Sequence, residues 1–234
     1  LALSWDQVSP TSMHFKLREG INFHDGTPMN AEAVAVNLNF LYSQENKFDI
    51  LEMMGPQITA EAVDEYTVAV NTAAPDPLLA KRLYMAGMTS AKQIQERPDE
   101  HYTIPIGTGP YVFEEWKKGE YYTANKNSDW WGIDAADTYG TIFYDSVRVI
   151  WRAEPLVRSA VVESGEGHIG MFVTADECDR LKGASGVTCL PKASDTFLQY
   201  RMDYDDRNGG THPLLMDPNF RKAIFTGIDW NGIQ

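Results

Sequence analysis

The sequence lacks any apolar run long enough to cross a bilayer, and no basic-then-apolar signal segment opens it. Because the first residue is Leu1 rather than methionine, we expect a processed or partial sequence whose missing signal does not argue against export. Basic residues are scarce: 20 Lys and Arg stand against 33 Asp and Glu, a formal net charge of −13 at pH 7. That charge repels phosphates, so nucleic acid is not an expected partner.

Cysteine is almost absent. Cys178 and Cys189 could form a disulfide in an oxidising compartment, or could be two small buried apolar side chains, and their spacing leaves both interpretations open. No histidine or third cysteine stands near them at the spacing of a zinc site. The acidic loop 203–210 offers oxygens to Ca²⁺ but lacks the closing Glu of an EF-hand, so a solvated loop is favoured. We therefore predict neither a metal site nor a cofactor.

Catalytic motifs are missing as well, because the chain contains no GxSxG, HExxH or P-loop pattern. His24 and Asp25 could form an acid–base pair, but they stand in a tight turn before a helix that Asn30 can cap. A side chain that satisfies turn amides is the favoured interpretation. We predict no catalytic residue.

Residue periodicity predicts a mixed α/β chain. Alternating apolar residues predict strands at 13–18, 58–63, 66–71, 111–116, 121–123, 146–151, 169–172, 187–190 and 196–202. Helical spacing and capping residues predict helices at 31–43, 75–85, 90–96, 155–165, 174–181 and 217–228. The strand–helix–strand order over residues 146–190 implies some parallel pairing.

Residues 105–111, PIGTGPY, predict a stiff crossover, because two glycines permit unusual backbone angles and two prolines fix φ beside them. A hairpin follows, with Tyr111, Phe113 and Glu115 expected on one face and Trp116 on the other. A rigid crossover of this kind suits a chain that passes from one lobe to another.

Five blocks, in order, resemble the family 5 extracellular solute-binding proteins of ABC importers, which bind peptides, nickel or oligosaccharides. They are FKLREGINFHDGTPMNAEAV, DEYTVAV, GTGPY with the later NSDWWG, the unit of residues 146–170, and the final DPNFRKAI. His168 and Trp230 depart from the family pattern, where Asp and Arg are usual. The resemblance favours packing of Trp130 and Trp131 across the hairpin, although exposed tryptophans can also stack on ligands.

The resemblance implies an incomplete periplasmic-binding-protein-like fold of type II, cluster C. Residues 1–104 would be a small flanking lobe and residues 105–234 part of the main ligand-binding lobe. An earlier segment, the rest of that lobe and the second lobe would lie outside the chain. We therefore expect weak ligand binding by these residues alone.

The implied function is capture of a solute, expected to be a peptide, by a monomer that delivers it to an ABC permease. The protein would be periplasmic, or extracellular and anchored as a lipoprotein, and would perform no chemistry. The resemblance assigns ligand contacts to Gln199, Tyr200 and Arg201. Arg201 could pair with a ligand carboxylate or with a neighbouring Asp. A hydrolase acting on a glycoside or ester, or a protein-interaction module, remains the alternative.

Overall fold

The computed structural model describes residues 1–43, 51–133, 141–191 and 212–229. The chain forms two compact units, Leu1–Ala153 and Glu154–Gln234. The boundary predicted between residues 104 and 105 concerns the lobes of the complete family fold and stays a prediction.

The first unit begins with a four-stranded antiparallel sheet in the order β1-β2-β4-β3. Its strands are β1 (Ala2–Ser9), β2 (Ser12–Leu17), β3 (Ile58–Asp64) and β4 (Thr67–Thr72). Met13, Phe15 and Leu17 alternate into the core as predicted. Strand β1 was not predicted from the sequence. Nearly all of its residues are exposed, so no alternation of buried and exposed side chains marks it, and the strand is formed by its pairing with β2.

Helix α1 (Ala31–Leu41) packs on this sheet, and the predicted cap is confirmed: the Asn30 side chain accepts a hydrogen bond of 3.0 Å from Ala33 N. Val34 and Leu38 are buried with the apolar face of the sheet. Shorter elements follow, namely α2 (Leu51–Met54), α3 (Leu79–Arg82), a 3₁₀ turn (Leu83–Met85), α4 (Ala91–Glu96) and a second 3₁₀ segment (Pro98–Tyr102).

The helix predicted over residues 75–85 is wrong in extent. Only four residues are α-helical before the backbone tightens into the 3₁₀ turn. Leu79 is buried, and Leu83 and Met85 pack against the same core from the 3₁₀ turn, so these apolar contacts are made without a longer α-helix.

The second sheet has the order β5-β6-β7, with β5 (Tyr111–Lys117), β6 (Tyr121–Lys126) and β7 (Ser146–Ile150), all antiparallel. Gly119, at φ +80°, makes the predicted turn between β5 and β6. A bulge lies between Phe113 and Glu115, and it sets Trp116 opposite Tyr122. The simple alternation predicted for β5 is therefore wrong after Phe113, because the extra residue reverses the faces.

The second unit contains α5 (Pro155–Glu163), α6 (Ala175–Leu181), α7 (Pro213–Met216) and α8 (Pro218–Gly227). Thr174 caps α6 and Asp217 caps α8, as predicted. Ser159 Oγ on α5 donates to Glu177 Oε2 on α6 over 2.5 Å, which ties the two helices together. In the described ranges no helix has both the length and the apolar character needed to span a membrane.

Cys178 and Cys189 form a disulfide, with their Cα atoms 5.6 Å apart. The bridge joins α6 to the segment that follows it. Of the two interpretations left open by the sequence, the disulfide is the one that the structure contains.

The strands predicted at 169–172 and 187–190 do not form. Ile169 and Phe172 are each 83% exposed, Leu190 is 84% exposed, and Phe172 has φ 56°, outside the extended region. A strand exists only when another strand satisfies its backbone, and apolar periodicity cannot supply that neighbour. The parallel pairing expected here is therefore wrong for the part of the chain that the structure describes, whose named strands pair antiparallel.

Candidate functional site: the crossover segment and the cavity beside it

The crossover is held by its backbone carbonyls, which accept hydrogen bonds from side chains and amides on both sides. On the side of α4, Gln93 Nε2 donates to Ile104 O at 2.7 Å, and Thr89 Oγ1 donates to Ile106 O at 2.9 Å. Ser90 N also donates to Ile106 O, at 2.9 Å. These contacts fix the position of the crossover backbone, and its stiffness stays a prediction.

His24 holds the next part of the crossover. Its backbone N donates to Gly107 O at 2.8 Å, and its ring Nε2 lies 3.0 Å from Gly109 O. A carbonyl can only accept, so Nε2 carries the proton in this contact. His24 therefore binds the crossover backbone rather than a turn amide, and its ring hydrogen bond is to Gly109 O, not to Asp25.

Asp25 closes the turn that presents His24. Its Oδ1 accepts from Thr27 N at 3.0 Å and from Thr27 Oγ1 at 2.6 Å, while Oδ2 accepts from Ser90 Oγ at 2.5 Å. Partial burial opposes ionisation, but the hydrogen bonds from Ser90 and Thr27, with a smaller contribution from Lys92, hold the pKa of Asp25 below its ordinary value. A carboxylate stabilised in its charged form is suited to fixing a turn rather than to transferring protons.

A buried amide anchors the segment before α4. Asn37 Nδ2 donates to Ala33 O at 2.8 Å and to Thr89 O at 2.7 Å, and its Oδ1 accepts from Thr89 N at 2.8 Å. Helix α1 thus fixes Thr89, which in turn holds the crossover.

The Trp130–Trp131 pair packs against this same segment. Trp131 Nε1 donates to Thr108 O at 3.0 Å, and the Arg18 guanidinium lies 5.1 Å from the centroid of the Trp131 ring. Trp130 is 9% exposed and its ring centroid is 5.6 Å from that of Trp131. Trp131 therefore packs against the crossover and Arg18, and the packing across the hairpin that the resemblance favours stays a prediction.

A cavity of about 510 Å³ opens beside the crossover, within the first unit. One face of the second sheet supplies one wall, and residues of the crossover and of the segment before it supply much of the rest. Its lining residues are His24, His101, Tyr102, Thr103, Pro105, Gly107, Gly109, Tyr111, Phe113, Trp116, Tyr122, Ala124 and Trp151. Pockets of this volume, concave and mostly apolar, are typical of small-molecule sites.

The sequence interpretation missed this cavity because the bulge in β5 brings Trp116 to the face that carries Tyr111 and Phe113. Val149 on β7 lies opposite Tyr122, so Trp151, two residues after Val149, reaches the face that carries Tyr122. The Tyr122 and Trp151 rings are tilted by 54° with centroids 5.8 Å apart.

Gln199, Tyr200 and Arg201 lie outside the described residues, as do the predicted strand 196–202 and the acidic loop 203–210. His168, which departs from the family pattern, is exposed. Over the described ranges, no group of three or more His, Cys, Asp or Glu side chains could hold a metal ion.

The fold is that of the type II periplasmic binding proteins, of which this chain covers a part. The nickel ABC transporter structure from Bacillus halodurans superposes with a TM-score of 0.65 at 25% identity, over 80% of this chain and 36% of that one. The oligopeptide-binding protein AppA of Bacillus subtilis, solved with a nonapeptide, superposes with a TM-score of 0.56 at 21% identity, over 71% of this chain and 33% of that one. The second likeness concerns the fold alone.

Sequence comparison then gives the family. Residues 1–234 match the family described as "Bacterial extracellular solute-binding proteins, family 5 Middle", and the chain belongs to it. The glutathione-binding protein GsiB of Pectobacterium atrosepticum is 30% identical over 175 residues, which is 71% of this chain. The match spans only 32% of that relative's length.

Proposed function

We propose that this chain is part of the solute-binding subunit of an ABC importer, which captures a small peptide and delivers it to a membrane permease. The observation that carries the proposal is the family match over residues 1–234. The chain covers about a third of the relatives and structures described above, so the activity of the whole protein is inferred from its family.

Peptide is the proposed solute class for two reasons. A relative is named for binding glutathione, itself a small peptide, and one protein of the same fold was solved with a nonapeptide. Arg201 is the proposed ligand of a peptide carboxylate, since a guanidinium can bind it through two parallel hydrogen bonds. Tyr200 and Gln199 would contact the same ligand.

The transport mechanism would be closure of two lobes around the solute, favoured because the ligand contacts both lobes when they are closed. The crossover would stay in place during this closure, because Gln93, Thr89 and His24 donate hydrogen bonds to backbone carbonyls in it and directly before it. Bending would then occur elsewhere. Capture and release need no nucleophile or general base, so we propose no enzymatic activity.

We further propose a monomer located in the periplasm, or outside the cell and anchored as a lipoprotein. The Cys178–Cys189 disulfide supports an oxidising compartment, where such bonds persist. Light scattering of the purified protein tests the monomer, and labelling of intact cells tests the location.

The proposed function is tested by thermal shift with tripeptides, glutathione, nickel–histidine and maltotriose, using both these 234 residues and the longest polypeptide that the gene encodes. A ligand that binds the folded state raises the melting temperature. We expect peptides to raise it for the longer form, and Arg201→Ala to remove most of that shift. A Tm unchanged by every solute, or turnover of an ester or glycoside substrate, would contradict the proposal.

A further inference from the structure

The cavity beside the crossover has a lining that suits one kind of chemical group. We propose that it is a subsite for an uncharged aromatic side chain of the peptide solute. This inference rests on the proposed function and adds the class of peptide that the protein would prefer.

The first observation is the arrangement of aromatic rings. Strands β5 and β6 contribute rings to one wall of the cavity, and so does the residue directly after β7. The bulge in β5 adds Trp116 to that wall. The five rings of this wall belong to Tyr111, Phe113, Trp116, Tyr122 and Trp151. Aromatic groups pair favourably in offset or edge-to-face geometry, which such a wall offers from several directions.

The second observation concerns charge. The protein carries a net charge of −13, yet among the described residues that line the cavity there is no Asp, Glu, Lys or Arg. Burial also lowers the pKa of His101, which favours the uncharged form of this lining imidazole. A charged ligand group would lose its hydration here without gaining an opposite charge.

The third observation separates an aromatic side chain from a sugar, which also stacks on tryptophan. Sugar hydroxyls need hydrogen-bonding partners, and carboxylate, carboxamide and guanidinium side chains are missing from the described lining. The polar side-chain groups of the lining are hydroxyls, imidazoles and indole N–H groups, and those of Tyr111, Thr103 and His24 already contact backbone carbonyls of the protein. A cavity of about 510 Å³ has room for an indole or phenol together with its own backbone.

Two rings of the wall are partly exposed within these 234 residues. Trp151 is 44% exposed and Trp116 is 37% exposed, although both are large apolar side chains. An occupant that covers these rings removes apolar surface from water, which is the main favourable contribution to such binding.

The test is calorimetric titration of the longest encoded polypeptide with Ala-Ala-Ala, Ala-Glu-Ala, Ala-Phe-Ala and Ala-Trp-Ala. We expect the two aromatic peptides to bind at least about tenfold more tightly than Ala-Ala-Ala, with Ala-Glu-Ala the weakest. Trp151→Ala should bring the aromatic peptides to within about twofold of Ala-Ala-Ala and leave Ala-Ala-Ala unchanged. Trp151→Phe, which keeps a ring, should retain most of the preference.

Trp5→Ala is the matched control, because Trp5 is a half-exposed tryptophan on β1 and does not line this cavity. It should leave all four affinities unchanged, and circular dichroism of each variant checks that it is folded. Equal affinities for all tripeptides, unaffected by Trp151→Ala, would overturn the subsite and leave the proposed function intact. A structure of the longer polypeptide in which another of its segments fills the cavity would overturn the subsite in the same way. Failure of every peptide to bind would overturn both.

Discussion

Asn37 shows how one buried amide can determine the position of a distant segment. It is 2% exposed, and it satisfies both the N–H and the C=O of Thr89 while also bonding to its own helix. Asn37→Ala would leave both backbone groups of Thr89 without these partners in the core. We expect the free energy of unfolding to fall by about 2–4 kcal/mol, measured by urea denaturation.

Asn125→Ala is the control for this substitution, because Asn125 is exposed on β6. Its effect should stay within about 0.5 kcal/mol. Equal effects of the two substitutions would mean that the Asn37 side chain does not anchor Thr89.

Asp25 should make stability depend on pH. Its folded pKa is lowered relative to the unfolded chain, so its ionised form stabilises the fold above about pH 4, and this contribution is lost as pH falls through the folded pKa. Wild type should therefore exceed Asp25→Asn in stability at pH 7, and the difference should narrow below about pH 4.

Urea unfolding at pH 7, 5 and 3 measures the effect of Asp25→Asn. Asp129→Asn, at an exposed position, should follow wild type at each pH. A difference between wild type and Asp25→Asn that is constant over this range would show that the ionised form has no special role.

Among the elements, those whose residues are buried on one face could be predicted from sequence. Strand β2 alternates into the core, and α1 carries both a capping Asn30 and a helical apolar stripe, so each signal is local. The bulge in β5 could not be predicted in this way. The sequence between Phe113 and Glu115 is compatible with an uninterrupted alternation of faces. Only the pairing with β6 shows that a residue has been inserted there.

Residues 169–172 illustrate the opposite error. Their composition is that of a buried strand, yet Ile169 and Phe172 are exposed and the backbone is not extended at Phe172. Local sequence reports that a side chain is apolar, whereas burial depends on what is packed against it. The aromatic cavity was not predicted for the same reason, since the rings of its wall lie on β5, on β6 and directly after β7, and only the fold brings them together.

The disulfide should be the main local constraint on α6. This helix has seven residues and buries only Leu181, so its packing is slight. Replacing Cys178 and Cys189 together by Ser removes a link across 11 residues and should lower the free energy of unfolding of this unit by about 2–4 kcal/mol.

The measurement is thermal unfolding of wild type and of the double serine variant, each with and without dithiothreitol. Reductant should lower the melting temperature of wild type to that of the variant and leave the variant unchanged. A wild type that is insensitive to reductant and matches the variant would exclude a stabilising role for the bond.

At the scale of the whole molecule, burial is distributed unevenly. Of the buried apolar residues in the described ranges, all except Leu181 lie within Leu1–Ala153. The contiguous core connects the first sheet with α1, and Ile106 and Trp131 pack against it. Residues on both sides of the proposed lobe boundary at 104/105 therefore share this core.

This distribution predicts which fragments fold. Residues 1–153 alone should unfold cooperatively, with a free energy of unfolding close to that of the same residues in the full chain, because almost all of the buried apolar residues are retained. Residues 1–104 should be less stable, because Ile106 and Trp131 are lost from the core and the donors Thr89 and Ser90 lose the carbonyl of Ile106. Urea unfolding followed by circular dichroism compares the two fragments. Equal stability would place the independent folding unit at residue 104 and show that the crossover contributes nothing to it.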